Sequence, residues 1–161
     1  MKFEGTLYQI GVVVRDIEAG MAHYSNLLGL GPFTRLDTDY TGRYRGTLQH
    51  IANRNAFARW GELYLEMVEP GSGQSTASEW LAARGEGIFH LGYSTTNLSQ
   101  RPGGVEVCFE TLDNLTPEGV PATIHLDTVQ QLGYFVELAD SRLAERLAHW
   151  IDGTGNLRDD K

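Results

Sequence analysis

Four polar residues interrupt apolar stretches of this chain: Gln9 in LYQIGVVV, Glu66 in ELYLEMVEP, His90 in GIFHLGY and Glu137 in GYFVELAD. Burying an unpartnered carboxylate costs on the order of several kcal/mol, so residues in such settings are exposed, paired or bound to a cation. One imidazole, two carboxylates and an amide oxygen together suit a borderline divalent ion such as Zn²⁺, and Ni²⁺, Co²⁺ or Mn²⁺ accept the same donors. Gly11 and Gly92 each lie two positions beyond Gln9 and His90, on the same strand face, and are expected to leave room beside the ion for substrate or water. Each residue alone has a plainer explanation. A strand Glu most often faces solvent, a lone His is more often a satisfied core residue, and Gln9 by itself says little. The signal is their recurrence at equivalent places in two halves.

Convergence of these residues requires strands that share an interior. Leu7 to Val14 reads as a buried strand. Asp16 then caps a helix over 17–28, with Ile17, Met21, Tyr24 and Leu28 on its inner face and Gly29, Gly31 and Pro32 ending it. A short strand is predicted at 33–38, and a polar, glycine-containing loop or irregular hairpin at 39–50. Strands 53–60 and 62–69 meet at Gly61. Ser75 or Thr76 starts a linker helix, Thr76 and Glu79 having capping-box spacing, and Gly85 stops it. Ile88 to Ser94 is a strand, and 96–104 has room for about one helical turn. Three more strands follow at 105–112, 122–126 and 134–138. Ser141 caps a closing helix with Leu143, Leu147, Trp150 and Ile151 on one face, and the tail from Asp152 reads as frayed.

The order is strand, helix, three strands, then after the linker helix strand, stub, three strands, so the chain is expected to repeat itself. Gln9-Ile10-Gly11 echoes His90-Leu91-Gly92, and Leu65-Glu66-Met67 echoes Val136-Glu137-Leu138. The expected architecture is α+β in a single domain. Module one spans about 5–70, a linker helix about 75–85, module two about 87–140 with its helix shortened, and a C-terminal helix about 141–151.

With 161 residues, 41% of them hydrophobic, the chain can build a core, which excludes wholesale disorder. Thirteen basic against 21 acidic residues give a net charge of −8, which argues against nucleic acid or an anionic membrane as partner. The single cysteine, Cys108, forms no intrachain disulfide, and no stretch approaches the ~20 apolar residues of a membrane span. A cytoplasmic location is expected.

QIGVVVRDIEAGMAHYSNLLGLGPF, ELYLEMVEP, WLAARGEGIFHLGY and HLDTVQQLGYFVELAD together resemble the vicinal-oxygen-chelate superfamily over about residues 6–140. RGEGIFHLGY is most similar to its methylmalonyl-CoA epimerase branch. The resemblance implies paired βαβββ modules forming a cupped mixed sheet around a metal, with ligands in the first and last strands of each module. Those positions are Gln9, Glu66, His90 and Glu137. Gln9 stands where the epimerase branch usually has His, but a Gln-Glu-His-Glu set looks like the zinc quartet of animal-type glyoxalase I. That enzyme's glutathione-binding pattern expects basic or amide residues where Val13, Pro70 and Glu86 stand, which argues against glutathione hemithioacetal as substrate.

The implied function is a metal-dependent isomerase, epimerase or lyase that stabilises an enolate of a small carbonyl or thioester substrate. Glu137 is the expected base and Glu66 the returning acid. Arg43, Tyr44, Arg45 and His50 of the 39–50 segment, with Tyr64, Phe135 and His125, are the expected substrate-binding residues. The resemblance also implies a homodimer. The competing expectation is a metal-free small-molecule binding protein of the bleomycin-resistance type, holding an apolar ligand against Trp60, Tyr64, Phe89 or Phe135. Extradiol dioxygenase chemistry wants two His and one carboxylate, and the quartet has a single His.

Overall fold

Apolar, β-branched residues carry β1 (Thr6–Val13) into the interior, where its second half is buried. This computed structural model describes residues 3–157. The carboxylate of Asp16 accepts from the Ala19 amide at 2.8 Å and starts α1 (Ile17–Leu28), which Gly29 ends in the left-handed conformation. Met21 and Tyr24 of α1 pack with Val12, Val14, Leu65 and Met67 on the outer face of the sheet.

β2 (Thr34–Tyr44) and β3 (Thr47–Trp60) form one long hairpin, paired without interruption from Thr34↔Phe57 to Tyr44↔Thr47. The 39–50 segment is therefore strand and tight turn, not a loop. Arg45 and Gly46 both take positive φ, which matches the twist of a two-residue hairpin turn. Gly42, which reads as a loop residue, sits mid-strand because a Cβ there would press on Ile51 at 2.9 Å and the Glu110 carbonyl at 3.2 Å.

β4 (Leu63–Pro70) leads to α2 (Thr76–Arg84), capped by a reciprocal Ser75–Ser78 box and not by Thr76 and Glu79. The second half comprises β5 (Gly87–Thr95), β6 (Val107–Thr111), β7 (Thr123–Leu126), a four-residue α3 (Val129–Leu132), β8 (Phe135–Asp140) and α4 (Ser141–Ile151). Among the described residues, 96–106 contains no helix. Leu98 and Val105 pack instead on Ile124, Leu126 and Leu138, covering the outer face as α1 does in the first half. Asp140, one residue before the predicted Ser141, caps α4 by accepting from the Arg142 amide at 3.0 Å.

The strands close into an eight-membered barrel in the order β1-β4-β3-β2-β6-β7-β8-β5. β1 runs parallel to β4 and β5 to β8, while every other pairing is antiparallel. Each half thus has the same internal strand order, as expected of α+β modules of the βαβββ kind. The halves meet twice, at β1/β5 and at β2/β6, so the expected cup is a closed wall. Ala77 and Trp80 of α2 join Val13, Val68, Phe89 and Phe135 to fill one end, and α4 lies at the other.

Candidate metal and active site

The four residues singled out in the sequence meet inside the barrel. His90 Nε2 lies 2.9 Å from Gln9 Oε1, and 3.6 Å from both Glu66 Oε2 and Glu137 Oε2. Gln9 and His90 are each 1% exposed and Glu137 5%, whereas the Glu66 side chain keeps 20% of its surface open. Register explains the meeting. Gly11 is the Cα partner of Glu66 on one side and of His90 on the other, and Gly92 faces Glu137. The gaps left by these glycines are not open space, as the sequence suggests. A Cβ on Gly11 would overlap the His90 ring, and one on Gly92 would meet the Gln9 side chain at 3.0 Å.

Two β-bulges in the β1/β5 ladder set the inner face. The pairing skips from Leu7 to Gln9 on β1 and from His90 to Ile88 on β5. Tyr8 consequently turns inward beside Gln9, its hydroxyl donating to Glu137 Oε1 at 2.9 Å. Phe89 turns inward beside His90, with ring centroids 4.6 Å apart. Strict alternation hides Tyr8, and no local sequence signal reveals it.

His125 joins the cluster from β7, opposite Glu137 in the ladder. Its Nε2 lies 3.1 Å from Glu137 Oε2, and its Nδ1 lies 2.6 Å from Thr76 Oγ1 in the first turn of α2. Thr76 is a second contributor that the sequence did not disclose. His90, His125 and Glu137 present ligand atoms all within 4.8 Å of one another and could bind a metal ion. Ligands about 2.1 Å from a common tetrahedral ion are about 3.4 Å apart, close to the 3.1 and 3.6 Å found here. The donor set fits a divalent cation.

The electrostatics of the cluster are those of a buried, acidic pocket. Burial pushes His90 down to about 4, which keeps the ring neutral. Burial, then the charge of Glu137, raises Glu66 well above the usual carboxylate range. Burial also opposes the charge on Glu137, but His90, the His125 hydrogen bond and the Tyr8 hydroxyl hold it down to about 2. Burial and the two carboxylates raise Tyr8 and Tyr40, so both stay protonated. His90 Nδ1 is buried without a hydrogen-bond partner. The Gln9 amide fits best with its nitrogen inward, donating to Glu66 Oε2 and His90 Nε2 at 2.9 Å and to Glu137 Oε1 at 3.2 Å. An amide nitrogen does not ligate a metal ion, so ion binding would require the oxygen inward.

Of the expected substrate-binding residues, only His125 reaches the cluster. Arg43 pairs with Glu110 at 2.9 Å, and Arg45 with Glu79 and Asp127 at 2.9 Å each. The Arg45 guanidinium also lies 5.7 Å from the Tyr44 ring. His50 pairs with Asp39 at 2.7 Å in solvent. Phe135 packs under Trp80 at the filled end, with ring centroids 6.2 Å apart. The Tyr64 hydroxyl donates to Asp152 at 2.7 Å on the rim. The long hairpin carries the arginines past the site to acidic partners beyond it.

Residues 8–102 match the model of a family described as the Glyoxalase/Bleomycin resistance protein/Dioxygenase superfamily. No curated protein matches the chain. Among solved structures, a variant methylmalonyl-CoA epimerase from Streptomyces coelicolor, in complex with 2-nitronate-propionyl-CoA, is 24% identical with a TM-score of 0.56, covering 86% of this chain and 99% of that one. A methylmalonyl-CoA epimerase from Mycobacterium tuberculosis is 19% identical with a TM-score of 0.57, covering 84% and 87%. A hypothetical protein from Bacillus halodurans is 22% identical with a TM-score of 0.56, covering 86% and 95%. At these identities the likeness is one of fold. No helix among the described residues is long and apolar enough to cross a membrane.

Proposed function

This chain belongs to the glyoxalase/bleomycin resistance protein/dioxygenase superfamily, and on that premise we propose that it is a metal-dependent enzyme of the epimerase, isomerase or lyase type. Its substrate would be a small carbonyl compound or thioester. The thioester option draws on the acyl-CoA ligand bound to the Streptomyces neighbour. One observation carries the proposal: three side chains, from β1, β4 and β8, crowd around Nε2 of His90 on β5 at 2.9 to 3.6 Å inside the barrel. Two carboxylates so placed repel one another unless a cation lies between them or one keeps its proton.

Gln9, Glu66, His90 and Glu137 would hold the ion, with His125 offering a fifth donor. Zn²⁺ suits these ligands best, and Ni²⁺, Co²⁺ or Mn²⁺ fit the same set. A divalent ion in this position supplies Lewis-acid stabilisation of the negative charge that builds when a proton leaves carbon beside a carbonyl.

The chain's own groups divide the proton work. Both Glu137 oxygens are engaged, Oε1 by Tyr8 and Oε2 by His125, so Glu137 is a fixed anchor. Glu66 is the more open carboxylate and lies across the ladder from Phe57 on the side of the barrel mouth. We assign the base to Glu66, reversing the order suggested by the sequence. A positioned general base supplies about 10²–10⁴-fold in rate. The site is complete within one chain, so a homodimer, expected from the resemblance, is not needed to build it.

Metal analysis of protein purified without chelator tests this function. The wild type is expected to carry about one ion per chain, and Glu66→Gln and His90→Ala to carry little. Trace metal at one level in all three proteins would instead support a metal-free binder. The observation that favours that second reading is the Gln9 amide, whose inward nitrogen knits the cluster together without a cation.

A further inference from the structure

The cluster is walled by paired strands, apolar side chains with α2 fill one end, and only Glu66 keeps part of its side chain, 20%, open. The other end is crossed by α4. The chain leaves β8 at Asp140, and at the far end of the helix the Trp150 ring meets Phe57 edge-on at 5.7 Å. Asp152 then accepts from Arg59 Nη1 at 2.9 Å and from the Tyr64 hydroxyl at 2.7 Å. β8 is separated from β4 and β3 by β5 and β1 in the barrel order, so α4 runs from one side of the mouth to the other. Eleven helical residues span about 16 Å, enough for such a crossing. The residues it lands on stand directly over the site. Phe57 is the ladder partner of Glu66, and Tyr64 that of Gln9.

The two ends of α4 are held differently. At its start, Arg142 makes paired bonds to Asp140 at 2.8 and 2.9 Å and to Glu118 at 3.1 and 2.8 Å. At its finish, Arg59 and Asp152 keep 53% and 28% of their side-chain surface in solvent, whereas at its start the Arg142–Glu118 pair is as exposed but Asp140, at 8%, is a buried anchor. Along its length only Ala144 is fully buried, whereas the shorter α2 buries Thr76, Ala77 and Trp80. A helix that is half-buried along its inner face, with one fully buried residue and a solvent-accessible clasp at its far end, belongs to the less protected part of a fold.

We propose that α4 is a hinged cover over the mouth of the barrel, pivoting at Asp140 and Arg142 and latched by Asp152 on Arg59 and Tyr64. Trp150, seated on Phe57, occupies the place through which a ligand reaches Glu66. This inference rests on the proposed function only for what is admitted, and the cover itself is tested without metal.

The test is carbethoxylation of histidines by diethyl pyrocarbonate in the metal-free full chain, followed peptide by peptide, alongside amide hydrogen exchange. His23 and His50 are exposed, lie outside α4 and serve as internal standards. Asp152→Asn is expected to speed labelling of His90 and His125 about tenfold and to lower protection in α4 but not in α2. Tyr64→Phe is expected to give a smaller rise in the same direction. Arg35→Ala, which removes an exposed pair with Glu18 beside α1, is expected to leave both rates unchanged. Unaltered His90 and His125 rates in Asp152→Asn would overturn the cover, as would loosened α4 amides without faster labelling. An equal rise in Arg35→Ala would also overturn it, because access would then follow general destabilisation. A chain that binds no metal would defeat the proposed function while leaving these outcomes readable.

Discussion

Gly11→Ala is expected to abolish tight metal binding while leaving a folded barrel. Gly11 lies between Glu66 and His90 in the ladder, and the new Cβ would fall within the space of the imidazole. Its φ is not in the left-handed region, so the backbone tolerates alanine and the conflict is purely one of space. The ring has nowhere to retreat. Phe89 stands 4.6 Å from its centroid on one side and the His125 ring 5.2 Å away on another. Overpacking of this kind costs about 1–3 kcal/mol of stability. A displaced ligand costs at least as much affinity as a lost supporting residue, on the order of 100-fold. Calorimetric titration with Zn²⁺ and thermal unfolding of the same variant separate the two losses. Wild-type affinity in Gly11→Ala would mean that His90 does not ligate. Gly92→Ala, whose Cβ would touch Gln9 at 3.0 Å, is expected to weaken binding less.

Glu66→Gln is expected to act in opposite directions with and without metal. In the metal-free protein, burial and Glu137 raise the Glu66 value above that of the unfolded chain. Its protonated form therefore contributes stability that is complete below the unfolded carboxylate value, about 4.3, and is lost as pH rises through the folded value. Glu137 has the reverse sign. Held down to about 2, it contributes stability above about pH 4.3 that is lost as pH falls toward 2. The metal-free wild type should accordingly weaken on the alkaline side because of Glu66. Glutamine removes that limb, and the variant should overtake the wild type in stability on the alkaline side, as pH rises through the raised Glu66 value. Saturating Zn²⁺ reverses the ranking, since an ion at a thousandfold excess over Kd adds about 4 kcal/mol to the wild type alone. Denaturant unfolding across pH, with and without the ion, measures both limbs. A variant less stable than wild type at every pH in metal-free buffer would refute the carboxylate repulsion.

The convergence of four polar residues was more legible in the sequence than what surrounds them. Gln9, Glu66, His90 and Glu137 stand out because each is a polar residue inside an apolar strand, and inward burial of such residues is what strands of this kind impose. α1 was equally legible, since Asp16 and Gly29 mark its ends locally. The 39–50 segment was not. Its β2 and β3 faces are polar and its Gly42 reads as a break, yet cross-strand pairing and the Arg45-Gly46 turn make it the longest hairpin in the fold. The arginines expected to bind substrate are carried to Glu110, Glu79 and Asp127, partners up to 82 residues away in sequence. Tyr8 depended on a bulge and Thr76 on the docking of α2, and neither has a short-range signature. Closure of the barrel through β2 and β6 is likewise a long-range property, and it turns an open cup into a buried chamber.

Anomalous diffraction at the zinc edge, from crystals grown with one equivalent of Zn²⁺, addresses the chemistry most directly. One peak is expected inside the barrel, with ligand distances of about 2.0–2.2 Å to His90 Nε2, Glu66, Glu137 and the Gln9 amide oxygen. An interior without a peak, or a zinc ion held only by exposed pairs such as His50 and Asp39, would contradict a metal centre built from both halves of the chain.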